Sequence, residues 1–329
     1  MKYLLKRLAF YFMAFIGAFS LNFFLPHLMP GDPVQMRLGE LARQGGKIDP
    51  ATIEAIEKMF GINSNEPLIV TYLRNFGDIL KGDWGISFTN NLYPVTEVIK
   101  RPLGWTVFLC GTALIISFII NTALGIFVAW RRGSRLDTTL TVGGQIMANI
   151  PPVIVALTLS YTLAYNGFFP KGYAVTPLLY AEGFEYVKDV AYHAFLPVTA
   201  IILGSLGGIM GMRANMINQL GEDYIVMGTA KGVPDKKIMF KYCARNAMLP
   251  VVTSFAMQVG FLLGGQLLIE NIFNYPGLGK LMIQAINGRD YPLMQGILLM
   301  TTILMLTTNF IADISVFLLD PRIRRQSGE

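Results

Sequence analysis

Charge is scarce in this sequence. Only 15% of its 329 residues are Asp, Glu, Lys or Arg, against 53% hydrophobic residues. The few charges sit between long uncharged segments, the pattern of a polytopic membrane protein. A soluble protein with buried core helices is excluded by uncharged runs as long as residues 104–130. Cysteine is nearly absent: Cys110 falls in an apolar segment and Cys243 in a polar one, which excludes a disulfide framework. No Gly-x-x-x-x-Gly-Lys-Ser/Thr phosphate loop is present, since Gly46-Lys47 is followed by Ile48 and lacks the upstream glycine. Any ATP-driven step therefore belongs to another chain, and no cofactor is expected on this one. A His-Glu-x-x-His pair and a Gly-x-Ser-x-Gly elbow are also missing. An intramembrane hydrolase would need a paired nucleophile and base at mid-membrane depth, and the spans supply neither.

What is there is apolar length. A bilayer core of about 30 Å needs about 20 apolar residues per helix. Six segments qualify: residues 8–29, 104–130, 138–165, 194–212, 246–269 and 292–312. Lys2, Lys6 and Arg7 resemble the start of a signal peptide. The run that follows is too long and lacks a small-residue cleavage site, so a retained first helix is expected. Lys and Arg collect at the N-terminus, at 131–135, at 213–245 and at Arg322, Arg324 and Arg325. The opposite side holds Lys171, Lys188, Lys280, Arg289 and a first loop of nearly cancelling charge. By the Lys/Arg bias both termini and the 213–245 loop are cytoplasmic. This asymmetry accounts for the net charge of +6 without a nucleic-acid partner. His27 and His193, the only histidines, lie near the outer ends of spans one and four. They are too sparse for a metal site and read as interface residues.

The organisation expected is a first transmembrane helix at 1–30, an extracytoplasmic helical segment at 31–103, a five-span core at 104–320 and a tail at 321–329. In the outer segment, Asp49-Pro50 opens one helix, and a second, amphipathic helix runs from Pro67 to about Leu80 with Leu68, Tyr72, Phe76 and Ile79/Leu80 on one face. Pro151-Pro152 breaks the third span, either as a pathway wall or as a packing kink. Gly204, Gly207, Gly208 and Gly211 in the fourth span, and Gly260, Gly264 and Gly265 in the fifth, allow close helix approach. Asn149, Gln258 and Gln266 are polar amides inside spans, serving as pathway lining or as packing glue.

Residues 222–245 form the stretch around which the rest is organised. Glu222 and Asp223 suit a helix N-terminus, Gly232 suits its C-terminal cap, and Pro234 ends it. Asp235 then caps a second helix over 236–242. Two short helices meeting at a sharp corner across the end of a bundle make a lever on the spans.

Asp223-Tyr-Ile, Thr229-Ala-Lys-Gly232 and Arg245-Asn-Ala-Met-Leu-Pro250 resemble the coupling loop of ABC importer permeases of the oligopeptide, dipeptide, oligosaccharide and nickel branch. That loop opens Glu-Ala-Ala and continues with a Gly and a later Leu-Pro. Here Gly232 and Leu249-Pro250 match, and Val226-Met227-Gly228 stands at the opening triplet. The resemblance extends through Gly82-Asp-Trp-Gly-Ile-Ser-Phe88, the turn at 270–279, Arg289-Asp-Tyr-Pro-Leu-Met-Gln295, Asp313 and Leu319-Asp-Pro-Arg-Ile-Arg324. It implies an all-α integral membrane protein of six transmembrane helices with the type I importer permease fold, in the bacterial inner membrane. It implies a second permease, two cytoplasmic ATPases that bind ATP and Mg, and an extracytoplasmic substrate-binding protein. The loop residues Glu222, Asp223, Tyr224, Thr229, Ala230, Lys231, Gly232, Val233 and Pro234 would receive the push of the ATPases. The chain is then a transport subunit and not itself an enzyme. Oligopeptide is the first substrate expected, oligosaccharide the alternative, and nickel the third for want of clustered soft ligands. A passive channel leaves the elaborate loop without a purpose.

Overall fold

A computed structural model of the chain describes residues 2–28, 38, 42, 67–90, 92–177, 182–265 and 267–319. Among them the chain is helical, with no strand and one isolated bridge, Ile86 to Pro94. The helix expected from Asp49-Pro50 lies outside the described residues, as do Gln266 and the tail. Among the described residues four helices are long and apolar enough to cross a membrane: Arg7–Phe24, Val95–Trp130, Gly183–Gly204 and Tyr291–Ile314. The pair Arg135–Asn149 and Pro152–Ala164, bent by 95°, makes a fifth if it is one span. Arg245–Gly265 covers most of the fifth expected span.

The described residues fall into two compact units. The first comprises Met1–Thr106 and Pro276–Leu306. It contains α1 (Lys2–Leu28), α2 (Leu68–Leu80), the start of α3 (Val95–Trp130), α12 (Leu278–Asn287) and the start of α13 (Tyr291–Leu319). α2 lies on α1 through rings: Phe19 is 5.3 Å from Tyr72 and 5.1 Å from Phe76, and the Ser20 and Tyr72 hydroxyls bond at 2.9 Å. The expected apolar face of α2 is thus correct at its centre, but Leu68 and Leu80 at its ends stay exposed. A second core joins Val95 and Ile99 to Leu278, Leu281, Leu293 and Ile297. Asp290, fully buried, stitches this unit together. It accepts bonds from the Ser87 hydroxyl, the Thr89 N–H and hydroxyl, and the Leu293 N–H, at 2.7–3.1 Å. These four bonds satisfy its side-chain oxygens where they are buried.

The second unit comprises Val107–Tyr275 and Thr307–Glu329. It holds the rest of α3, then α4 (Arg135–Asn149), α5 (Pro152–Leu159) with a π turn at Ser160–Ala164, and α6 (Gly183–Gly204). There follow α7 (Gly208–Leu220), α8 (Asp223–Ala230), the short α9 (Asp235–Lys237), a π turn at Ile238–Ala244, α10 (Arg245–Gly265) and α11 (Leu267–Ile272). Pro151-Pro152 does break the third span. Ile150 and Pro151 are extended, with ψ of 123° and 130°, as residues before proline prefer. The fourth span departs from expectation. Its helix begins at Gly183 and ends at Gly204, and the chain unwinds through Ser205–Gly207 before α7. The glycines read as packing residues interrupt the helix as well as permit contact. A methyl on Gly208 would sit 2.7 Å from Asn121 Nδ2, which donates to the Ser205 carbonyl at 2.9 Å. One on Gly125 would meet Met212 Cβ at 2.5 Å.

Candidate functional site: the central corner

The corner at 222–245 is built as a rigid piece. α8 begins at Asp223 with Glu222 at its cap position, so both carboxylates stand at the positive end of the helix dipole. It ends in a Schellman motif: the Gly232 N–H bonds the Thr229 carbonyl at 2.9 Å and the Val233 N–H bonds the Gly228 carbonyl at 3.1 Å. That closure requires the left-handed backbone of Gly232, φ +72°. Pro234 occupies the cap position of the next helix and makes no side-chain cap bond. Asp235 is its first helical residue and not its cap, so the helix starts one residue earlier than expected. The expected single helix over 236–242 is one turn of α9 followed by a π turn.

One side of the corner is buried. Ile225, Ile238, Met239, Cys243 and Ala247 pack with Ile126, Ala129, Met212 and Met216, drawing α3, α7, α8 and α10 into one core. Tyr224 adds polar ties. Its hydroxyl donates to Gln219 Oε1 at 2.6 Å and accepts from Asn246 Nδ2 at 3.0 Å. Cys243 donates to the Met216 carbonyl, and burial pushes its thiol up to about 11, so it stays protonated at neutral pH.

The other side is open. Glu222, Asp223, Thr229, Ala230, Lys231, Gly232 and Pro234 are exposed, with Val233 half-buried. Val226 is 63% exposed and Met227 58%. Two apolar side chains held out on a short, well-closed helix are an offer of contact. Sequence reasoning placed them in the opening triplet and left them out of the contact set. The signal was an apolar pair on the face opposite Ile225, visible only once the helix was phased.

A second feature was not read from the sequence at all. Arg213 on α7 grips Asp137 at the start of α4 with two bonds, Nε to Oδ1 at 2.7 Å and Nη2 to Oδ2 at 2.9 Å. Asp137 also accepts the Gly133 N–H and the Thr141 hydroxyl, while its own N–H caps onto Ser134 Oγ. The clamp therefore holds the 131–134 turn and α4 to the helix that leads into the corner.

Of the amides expected to line a pathway, Gln266 lies outside the described residues. Asn149 is exposed and donates to the Gln145 carbonyl of its own helix at 2.7 Å; Gln258 is exposed on α10. Among the described residues no group of three or more His, Cys, Asp or Glu could hold a metal ion. His193 is buried, with Nδ1 2.8 Å from the Gly172 carbonyl and Nε2 3.2 Å from the Thr176 hydroxyl.

Over residues 121–325 the sequence matches the family described as binding-protein-dependent transport system inner membrane component. The chain belongs to this family. Relatives of the inner membrane component extend the likeness beyond that region. The oligopeptide transport system permease protein AppB of Bacillus subtilis is 32% identical over 323 residues, 98% of each chain. The dipeptide transport system permease protein DppB of Escherichia coli K12 is 32% identical over 349 aligned positions, and the di/tripeptide permease DppB of Pseudomonas aeruginosa 32% over 344, each covering 99% of both chains. The corner lies inside the family region, so membership bears directly on it.

Proposed function

We propose that this chain is one permease subunit of an ATP-driven ABC importer of oligopeptides. The observation that carries the reading is its likeness, along nearly its whole length, to permeases named for oligopeptides and dipeptides. Those names favour peptide over the oligosaccharide and nickel alternatives. In this reading six helices span the membrane, the fifth built around Arg245–Gly265, and 31–103 is an outer helical segment. The partners are a second permease, two ATPases carrying ATP and Mg, and a binding protein that delivers the peptide. The corner is the coupling loop. Glu222, Asp223, Thr229, Ala230, Lys231, Gly232 and Pro234 face the ATPase, Tyr224 and Val233 brace the helix, and Val226 and Met227 join the contact. The shared core with α3, α7 and α10 supports the lever role, because a push on a close-packed body is not absorbed locally. Asn149, Gln258 and Gln266 stand as pathway candidates.

Reconstitution with the second permease, the ATPases and the binding protein should give ATP-dependent uptake of tri-alanine. Uptake of maltotriose with none of tri-alanine would transfer the assignment to the oligosaccharide branch. Orientation follows from the Lys/Arg bias. In intact cells a cysteine introduced at Lys47 should react with an impermeant maleimide, and one at Lys236 should not; the reverse labelling would invert the topology.

A further inference from the structure

The first unit contains a cavity of about 160 Å³ that the coupling reading does not use. This is close to the volume of an engineered cavity that takes up benzene, about 150 Å³. It is lined by Asn22 and Phe23 of α1, Asp78 of α2, Asp83 and Trp84 of the following turn, and Pro292 and Gln295 of α13. The turn is shaped for this. Gly82 and Gly85, with φ of +87° and +81°, flank Asp83-Trp84 and allow a reversal that ordinary residues resist. Asp83 Oδ1 accepts the Gly85 N–H at 3.1 Å, which orients the carboxylate. Trp84 is held against Gly296, where an added methyl would come 3.7 Å from its ring.

The chemistry of the lining is one-sided. Two carboxylates, the exposed Asp83 and the 44% exposed Asp78, share the lining with the Trp84 indole and with Phe23. Among the described residues no Lys or Arg is in the lining, and the exposed Lys81 lies 4.0 Å from Asp78. Asn22 Nδ2, in the same lining, is buried and has no hydrogen-bond partner among the described residues. Exposed acceptors beside aromatic rings, with a buried donor in the same lining, complement a cation that carries an acceptor a few atoms away. Aromatic faces attract cations, and carboxylates accept charge-assisted bonds from them.

We propose that this cavity binds a primary ammonium group with a neighbouring carbonyl or ester oxygen, the pattern of a peptide N-terminus. The ammonium sits at Asp83 and Asp78 over Trp84, and the oxygen accepts from Asn22 Nδ2. The site admits one residue and its terminus, so it would hold a peptide by its end at the outer mouth. An ethanolamine phospholipid headgroup offers the same ammonium from a second source. The peptide assignment rests on the importer reading; the ammonium chemistry does not.

The test uses the full chain in nanodiscs of phosphatidylglycerol alone. Trp105 and Trp130 are replaced by Phe, leaving Trp84 as the reporter of the three tryptophans. Tri-alanine should shift Trp84 emission saturably, and N-acetyl-tri-alanine should not. Asp83→Asn and Asp78→Asn keep size and shape and should each weaken tri-alanine by about tenfold, the scale of one charged hydrogen bond. Asn22→Leu should weaken tri-alanine more than butylamine, which has no carbonyl. Ethanolamine lipid added to the discs, if it shifts Trp84 and blocks tri-alanine in an Asp83-dependent way, supports the ammonium site and assigns it to lipid. Equal binding of the acetylated peptide, or no response to amine, peptide or lipid, overturns the proposal. Tri-alanine uptake by the reconstituted importer is scored separately. Normal uptake beside a silent Trp84 would sink this site and leave the importer intact, whereas absent uptake would count against the importer reading.

Discussion

Gly232→Val and Ala230→Glu should each yield a permease that inserts and assembles but no longer couples ATP hydrolysis to transport. Gly232 sits at φ +72°, with open space where a side chain would go, so the substitution is strained by backbone and not by collision. A β-branched residue in the left-handed region costs about 1–2 kcal/mol. The chain can escape only by giving up the two bonds that close α8 onto Thr229 and Gly228. Opening that closure frees the end of the helix and lets the exposed face of Val226 and Met227 turn. Ala230 is exposed in the last turn of α8, where a carboxylate also opposes the negative end of the helix dipole. It would place charge in the middle of the contact proposed for the ATPase. The measurement is co-purification of the ATPases together with peptide-stimulated hydrolysis in nanodiscs. Gly232→Asn is the control, since Asn tolerates this backbone, and should retain most activity. Wild-type coupling in both Gly232→Val and Ala230→Glu would reduce the corner to a connector.

Arg213→Ala should be the most destabilising single change in the second unit outside its apolar core. It removes both bonds to an Asp137 side chain that is only 6% exposed. The carboxylate would keep the Gly133 N–H and Thr141 hydroxyl bonds but lose its counter-charge. Breaking a buried pair by deleting one partner costs about 3–5 kcal/mol; Arg213 is 23% exposed, which puts this case near about 3 kcal/mol. A clear fall in melting temperature in detergent is expected. Asp137→Asn with Arg213→Gln, which removes both charges and keeps hydrogen-bonding groups, should restore most of that loss. If Arg213→Ala melts like the parent, the clamp is ornamental and α7 is held to α4 by packing alone. Arg213→Lys separates the two roles of the clamp. It keeps the charge but not the forked pair of bonds, and should fall between.

Much of this molecule could be read in one dimension, and the readable parts share a cause. Uncharged length is a local property, so the helices at 7–24, 95–130 and 291–314 follow from desolvation along a single segment. The corner is equally local. Gly232 demands a positive φ, Pro234 ends a helix, and Glu222-Asp223 suit a helix start, all within a dozen residues. The double proline at 151–152 announced its break for the same reason. Even the missing phosphate loop is a local fact.

Other features depend on residues that are neighbours only in space. The fourth span unwinds at 205–207, because Gly204 and Gly208 must admit Pro152 and Asn121; glycine spacing alone reads equally as an unbroken packing face. Asp137 and Arg213 lie 76 residues apart, and nothing around either predicts the other. The phase of α8, which buries Ile225 and Gly228 and turns out Val226 and Met227, is set by the core of Met212, Met216 and Cys243. The cavity beside Trp84 draws on α1, α2 and α13, whose lining residues run from Phe19 to Leu299. The sequence by itself determined which segments leave water and where the chain must turn, because those free energies are paid residue by residue. Only the tertiary structure decided which faces meet and which polar groups pair, because those depend on distances that the chain order does not contain.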